Sequence, residues 1–252
     1  TENMSQAPSL VASTAVGMEL KSEELVNSMF HDGLTDAFGE YPMGVTTENV
    51  AEKFKVSREE QDLFAYQSHM KAAAAQEKGL FKSEIVPVQL ADGTWFTEDE
   101  TIRGNSTVEK LATLKTVFKE NGTVTAGNSS GINDGASALI LMSKERAIAE
   151  GIPYLATIKA TSEVGIAPEI MGYAPYYAVK KVLEKGDYTI DQIDLFQLNE
   201  AFASQSIAVA RDLEVPAEKL NIYGGAIALG HPIGASGARV VTSLLQELQQ
   251  TN

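Results

Sequence analysis

The chain has 252 residues, 44% hydrophobic and 21% charged, enough for one large or two smaller globular domains with a sizeable core. A net charge of −14 argues against nucleic acid or an acidic membrane surface as a partner, so an anionic ligand would need a local basic patch. The chain has no cysteine, which excludes disulfides, thiolate metal sites and a cysteine nucleophile within these residues, and its three histidines carry no metal-ligand spacing.

Thr1 opens the chain and "TENMSQAP" reads as mid-protein text, so a fragment or a processed chain is expected. No signal-peptide pattern or membrane-length apolar run follows, which makes the cytoplasm the expected location. From Ser22 to Phe81 the pattern is helical. Ser57 and Glu60 form a capping box before "EEQDLFAYQSHMKAAAAQEKG", which stops at Gly79 as a helix stops at a C-terminal glycine. "EIVPVQL" alternates as a strand, and its Pro87 suits an edge position. The polar text from Ala91 to Gly122 reads as a surface excursion.

After Gly127 strands and helices alternate. "ASALILM", Ala136 to Met142, is a continuous apolar run that predicts a strand buried on both faces. Ser143 caps "KERAIAEG", "YLATIKATSEVG" predicts a strand, and Pro175 opens a helix with Ala178, Val179, Val182 and Leu183 on one face. "IDLFQL" is a strand leading into the helix "NEAFASQSIAVARDL". "LNIY" is a short strand, and "ASGARVVTSLLQELQQ" closes the chain as an amphipathic helix. The alternation predicts a layered α/β fold.

Chemistry concentrates in "YGGAIALGHPIGASGAR", where His231 lies among Gly224, Gly225, Gly230, Gly234 and Gly237. Glycines there allow tight turning and close approach, and the helix start beyond Pro232 should offer N–H groups to an anion. "GASGA" fails as a nucleophile elbow because Gly237 follows Ser236 directly, and no Gly-x-Gly-x-x-Gly is present. In "LNEAF", Asn199 could orient a water or simply cap a helix, and Glu200 could anchor the loop or be catalytic. "TAGNSSGINDGAS" reads first as a tight turn. His31 and His69 read as solvated or locally satisfied, and single Met and Phe residues as core.

Taken together, "TENMSQAP", "DGLTDAF", "MGVTTENVAEKF", "GTVTAGNSSGINDGASAL", "LNEAFASQ" and "GGAIALGHPIGASGAR" closely resemble the thiolase family, specifically its acetyl-CoA acetyltransferases, across essentially the whole chain. "DGLTDAF" leans toward the biosynthetic branch, whereas Pro42 stands where many biosynthetic members carry histidine. The resemblance implies a thiolase-like layered αβαβα fold, incomplete, with an inserted mainly helical loop domain. Residues 1–5 and 133–153 would be a remnant of the N-terminal half, 6–132 the CoA-binding loop domain, and 154–252 the C-terminal half without its last strands.

The chemistry it implies is ping-pong acyl transfer. One cysteine takes the acyl group, and a second acts as acid and base while two acetyl-CoA condense to acetoacetyl-CoA and CoA, or the reverse. His231 would activate the thiol and lend a ring N–H to an oxyanion hole, Asn199 would hold a water for the enolate, and the glycines would leave room for the thioester. Ser130 would touch the pantetheine arm, Leu34, Met43, Phe118, Ala126 and Phe202 would line its groove, and Met171 would lie near the acyl group. Arg103, Lys110 and Lys115 would place positive charge near the nucleotide. CoA thioesters would be substrates, with no cofactor or metal, and a homodimer or homotetramer is expected. Both family cysteines are absent: their segments would precede Thr1 and follow Asn252, so the chain alone is expected to be inactive. The competing expectation is a non-catalytic CoA-binding or scaffolding module; a ketoacyl synthase is disfavoured by "NEAF".

Overall fold

The computed structural model describes residues 1–10 and 25–251, so the helical reading of residues 22–24 lies outside the described residues. Two helices begin the packed centre, α1 (Met43–Phe54) and α2 (Arg58–Glu77). Pro42 cannot continue a helix backwards, so α1 starts after it and stops where Lys55 turns left-handed at φ 54°. At α2 the box is complete: Ser57 Oγ accepts from Glu60 N, and the Glu60 carboxylate accepts from Ser57 N at 2.7 Å.

Four short strands follow the same chain order: β1 (Ser9–Leu10) pairs antiparallel with β2 (Val26–Asn27), and β3 (Val88–Gln89) with β4 (Trp95–Phe96). The later helices are α3 (Val108–Ala112), α4 (Lys144–Ala149), α5 (Ala174–Gly186), α6 (Ala203–Asp212), α7 (Ala226–Leu229) and α8 (Ile233–Thr251). Ser143 caps α4 by accepting from Arg146 N, and Pro175 lies in the first turn of α5. One apolar cluster joins Val50, Val56, Tyr173, Ala208, Val209 and Leu213, so α1, α6 and the turn before α5 share a core. A second joins Ala65, Leu111, Ala203 and Ile227, holding α2, α3, α6 and α7 together. Thus α6 belongs to both, and what precedes it is fixed from two sides.

Several sequence expectations are corrected. The run from Met29 to Phe81 is not continuously helical: after a π-helical turn at Met29–Gly33, Asp36 Oδ2 accepts from Phe38 N and Gly39 N and bends the chain before α1. "ASALILM" and "YLATIKATSEVG" form no ladder among the described residues, and Ile140 is 90% exposed. A strand requires hydrogen-bonding neighbours on its edges, and none is supplied there. "IDLFQL" and "LNIY" reduce to one parallel bridge, Phe196 to Leu220, and "EIVPVQL" to Val88–Gln89. Met4 and Phe81 are buried as expected, but Phe30 and Phe38 are exposed. Among the described residues no helix is long and apolar enough to cross a membrane.

Candidate active site

The Phe196–Leu220 bridge lays two chain segments side by side, and the loops that follow lead to α6 and α8. The second loop contains α7, a turn of helix not anticipated from the sequence. Gly225 and Gly230 face this chain's own side chains, whereas a Cβ on Gly237, beyond His231, would meet nothing within 4 Å. Gly225 approaches the Glu200 carboxylate so closely that any side chain would strike it. Gly230, at φ +97°, packs against the Asn133 amide. At these two positions the space is taken by Glu200 and Asn133.

His231 emerges from this loop half-buried, and three contacts fix it. Its backbone N–H donates to Asn133 Oδ1 at 3.0 Å, Nδ1 lies 2.6 Å from Ser236 Oγ, and Nε2 lies 3.4 Å from Asn199 Nδ2. Burial, and secondarily the charge of Arg239, holds its pKa below the usual histidine value, so the ring is neutral at neutral pH. The start of α8 is not an open anion site as the sequence suggests. Glu2 Oε2 accepts from Gly234 N at 2.9 Å, and the N–H groups of Ala235 and Ser236 return to Pro232 O.

Asn199 caps nothing, because α6 begins only at Ala203 with Phe202 in the capping position. Its carbonyl accepts from Gln205 Nε2 at 3.1 Å, its Nδ2 faces His231, and its Oδ1 is buried without a partner. Glu200, by contrast, anchors the loop. Ser68 Oγ donates to Oε2 at 2.6 Å, Asn221 Nδ2 to Oε1 at 2.7 Å and Ile227 N to Oε2 at 3.2 Å. Asn221 also exchanges bonds with the Leu198 backbone, tying the strand end to the glycine loop. The site is therefore a neutral imidazole and a carboxamide, converging from two loops held rigid behind them.

Two domain families match the chain: "Thiolase, N-terminal domain" over residues 1–145 and "Thiolase, C-terminal domain" over residues 152–252. The chain belongs to the thiolase family. It is 51% identical over 251 residues to a Staphylococcus aureus (strain COL) protein named "Probable acetyl-CoA acyltransferase", covering 98% of this chain and 64% of that relative. The crystal structure of the Bacillus anthracis acetyl-CoA acetyltransferase superposes with a TM-score of 0.94 at 42% identity, over 99% of this chain and 64% of that one. Human mitochondrial 3-ketoacyl-CoA thiolase in complex with CoA gives 0.90 at 39% identity, over 99% and 63%. The α/β thiolase fold is therefore shown, and the chain spans just under two thirds of its relatives' length.

Within this thiolase chain, contacts link several of the residues expected around the pantetheine, from Leu34 to Phe202. Ser130 N and Oγ both donate to Ala201 O at 3.0 Å, and Ser129 bridges to Phe202. Phe202 meets Phe118 edge to face with centroids 6.2 Å apart, and the Phe118 ring lies against Gly44 beside Met43. Met43 N donates to Leu34 O at 2.8 Å. Ala126 is exposed just after the Thr116–Thr125 bridge. Met171 is half-exposed beside Gly172, which packs on Gln205 and so reaches Asn199.

Arg103, Lys110 and Lys115 are exposed, and no described contact joins them to the Ser130 group. His69 departs from expectation: it is buried and accepts at Nδ1 from Arg103 N, 34 residues away. Burial and then the Arg103 charge lower its pKa to about 4. Sequence reasoning missed Asn133, Ser236 and Gln205 as neighbours of the His231–Asn199 pair. For Asn133 no local signal exists, since its partner lies 98 residues away.

Proposed function

We propose that this chain carries the His231–Asn199 part of a thiolase active site and serves an acetyl-CoA C-acetyltransferase, condensing two acetyl-CoA to acetoacetyl-CoA and CoA or running the reverse thiolysis. The observation that carries this reading is the neutral His231 ring with Nε2 beside the Asn199 carboxamide, whose Oδ1 is buried and unpartnered. A neutral imidazole can take a thiol proton, leaving the thiolate to attack a thioester carbonyl while CoA departs. In the second half the enolate oxygen of acetyl-CoA gains negative charge, and the carboxamide supports a water donor at that oxygen. The connected group from Leu34 to Phe202 lines the pantetheine arm, with Met171 nearer the acyl group.

No residue among the 252 is a cysteine, so the two thiols come from polypeptide outside this sequence, and the isolated chain performs neither direction. His231→Ala in the protein that includes those thiols abolishes covalent labelling by radiolabelled acetyl-CoA. A burst of label in that variant overturns the role of His231. The same missing cysteines favour a second reading, a non-catalytic CoA-binding module: protein expressed from the full reading frame that binds CoA and still takes no label supports it.

A further inference from the structure

Ser236 belongs to the "GASGA" text that fails as a nucleophile elbow, and the acyl-transfer reading leaves it without a task. Its surroundings define one. The residue is buried, with Oγ 2.6 Å from His231 Nδ1 and 2.9 Å from Pro232 O. A hydroxyl has one proton to give. Directed at the Pro232 carbonyl, that proton leaves an Oγ lone pair facing Nδ1, which must then carry hydrogen. Across the ring, Nε2 faces the Asn199 amide nitrogen at 3.4 Å, a group that only donates. A hydrogen-free Nε2 fits there, and a protonated one does not. Both sides of the ring require the same tautomer.

We propose that Ser236 is a positioning residue that holds His231 in its Nδ1–H tautomer and keeps the Nε2 lone pair turned toward Asn199. The hydroxyl is suited to this because it rides on α8 and not on the loop, and α8 is pinned at its start by Glu2. His231 cannot follow a displaced Ser236, because Asn133 holds its backbone N–H. The use of this tautomer in proton transfer rests on the acyl-transfer reading; its existence does not.

Nitrogen-15 NMR of histidine-labelled protein reads the tautomer directly, with His31 and His69 as internal comparisons. The wild type shows hydrogen on Nδ1 of His231 and an unprotonated Nε2. Ser236→Ala mixes the two tautomers and, in the protein that includes the two thiols, lowers kcat by roughly 10- to 100-fold, the cost of losing an orienting partner of a working histidine, with KM nearly unchanged. Ser236→Thr, which keeps the hydroxyl, restores both. An Nε2–H ring in the wild type, or an unchanged Nδ1–H ring in Ser236→Ala, overturns the assignment. If Ser236→Ala does not fold, the wild-type spectrum alone decides. A wild-type Nδ1–H ring together with acyl labelling in His231→Ala would overturn the role of His231 in acyl transfer and leave the tautomer held by Ser236 standing.

Discussion

Glu200 and Glu247 are both fully buried carboxylates, and their surroundings differ. Both oxygens of Glu200 accept, from donors on α2, on the segment before the glycine loop and on α7. Glu247 accepts only at Oε1, from Gln197 Nε2 at 2.7 Å and Tyr223 N at 3.2 Å, while Oε2 is buried with no partner. The nearby Arg239 has all three side-chain nitrogens buried without hydrogen bonds. Burial raises the pKa of both glutamates, that of Glu247 to about 7. The lesson is that burial alone does not assign a role. A carboxylate surrounded by donors organises a loop, whereas one with a bare oxygen has room for a proton.

The largest effect should come from breaking the first of these. Glu200→Ala leaves Ser68, Asn221 and Ile227 with donors pointing into a dry space, and Gly225 facing a void. Stability should fall by about 3–5 kcal/mol, the usual range when one partner of a buried charged hydrogen-bond network is removed. Urea unfolding measures it. A loss below about 1 kcal/mol would mean that the loop is held elsewhere and that the contrast with Glu247 is empty.

An intermediate effect is expected at Glu247, and it depends on pH. Glu84 and Glu247 both have folded values raised by burial to about 7, against an ordinary 4.5. Between those values the folded state holds protons that the unfolded state has released. Their contribution is therefore complete below about pH 4.5 and is lost as pH rises through about 7. Glu247→Gln keeps an acceptor for Gln197 and Tyr223 and imitates the protonated form. Its melting temperature should exceed the wild type's near pH 8 and match it near pH 4.5, narrowing the wild-type decline. A variant gain that is equal at both pH values would show that Glu247 does not change its protonation between them, and a gain absent at both would show that ionising it costs the fold nothing.

What the sequence disclosed follows the range over which each feature is determined. The ends of α2, α4 and α5 were readable because Ser57 with Glu60, Ser143 and Pro175 act within one helical turn. Strands were not, because "ASALILM" is a strand only beside partners, and the described residues supply none. His231 and Asn199 stood out through motifs, and the bridge between Phe196 and Leu220 brings their loops together. The alternative role of Asn199 as a cap failed because three further residues separate it from α6. Asn133 escaped notice because its contact with His231 spans 98 residues. Ser236 was visible but was tested only as a nucleophile, a role judged by spacing, whereas its hydroxyl acts through geometry that only the folded helix sets.

The smallest effect lies outside both buried regions, at Arg103. Its side chain is exposed, but its backbone is not free: the N–H donates at 3.2 Å to His69 Nδ1. With its pKa near 4, His69 keeps that nitrogen unprotonated and accepting at neutral pH, so the loop carrying Arg103 stays attached to α2. A guanidinium on a fixed backbone can meet phosphates without reorganising the fold. Arg103→Ala should therefore leave urea stability unchanged and weaken CoA binding about two- to fivefold at low ionic strength, as an exposed charge pair would. The difference should close as salt shortens the Debye length. Calorimetric titration of CoA at two salt concentrations tests this. Equal affinities at low salt would remove Arg103 from the nucleotide site, while a loss of stability would mean that the arginine, and not only its N–H, is part of what holds the loop to His69.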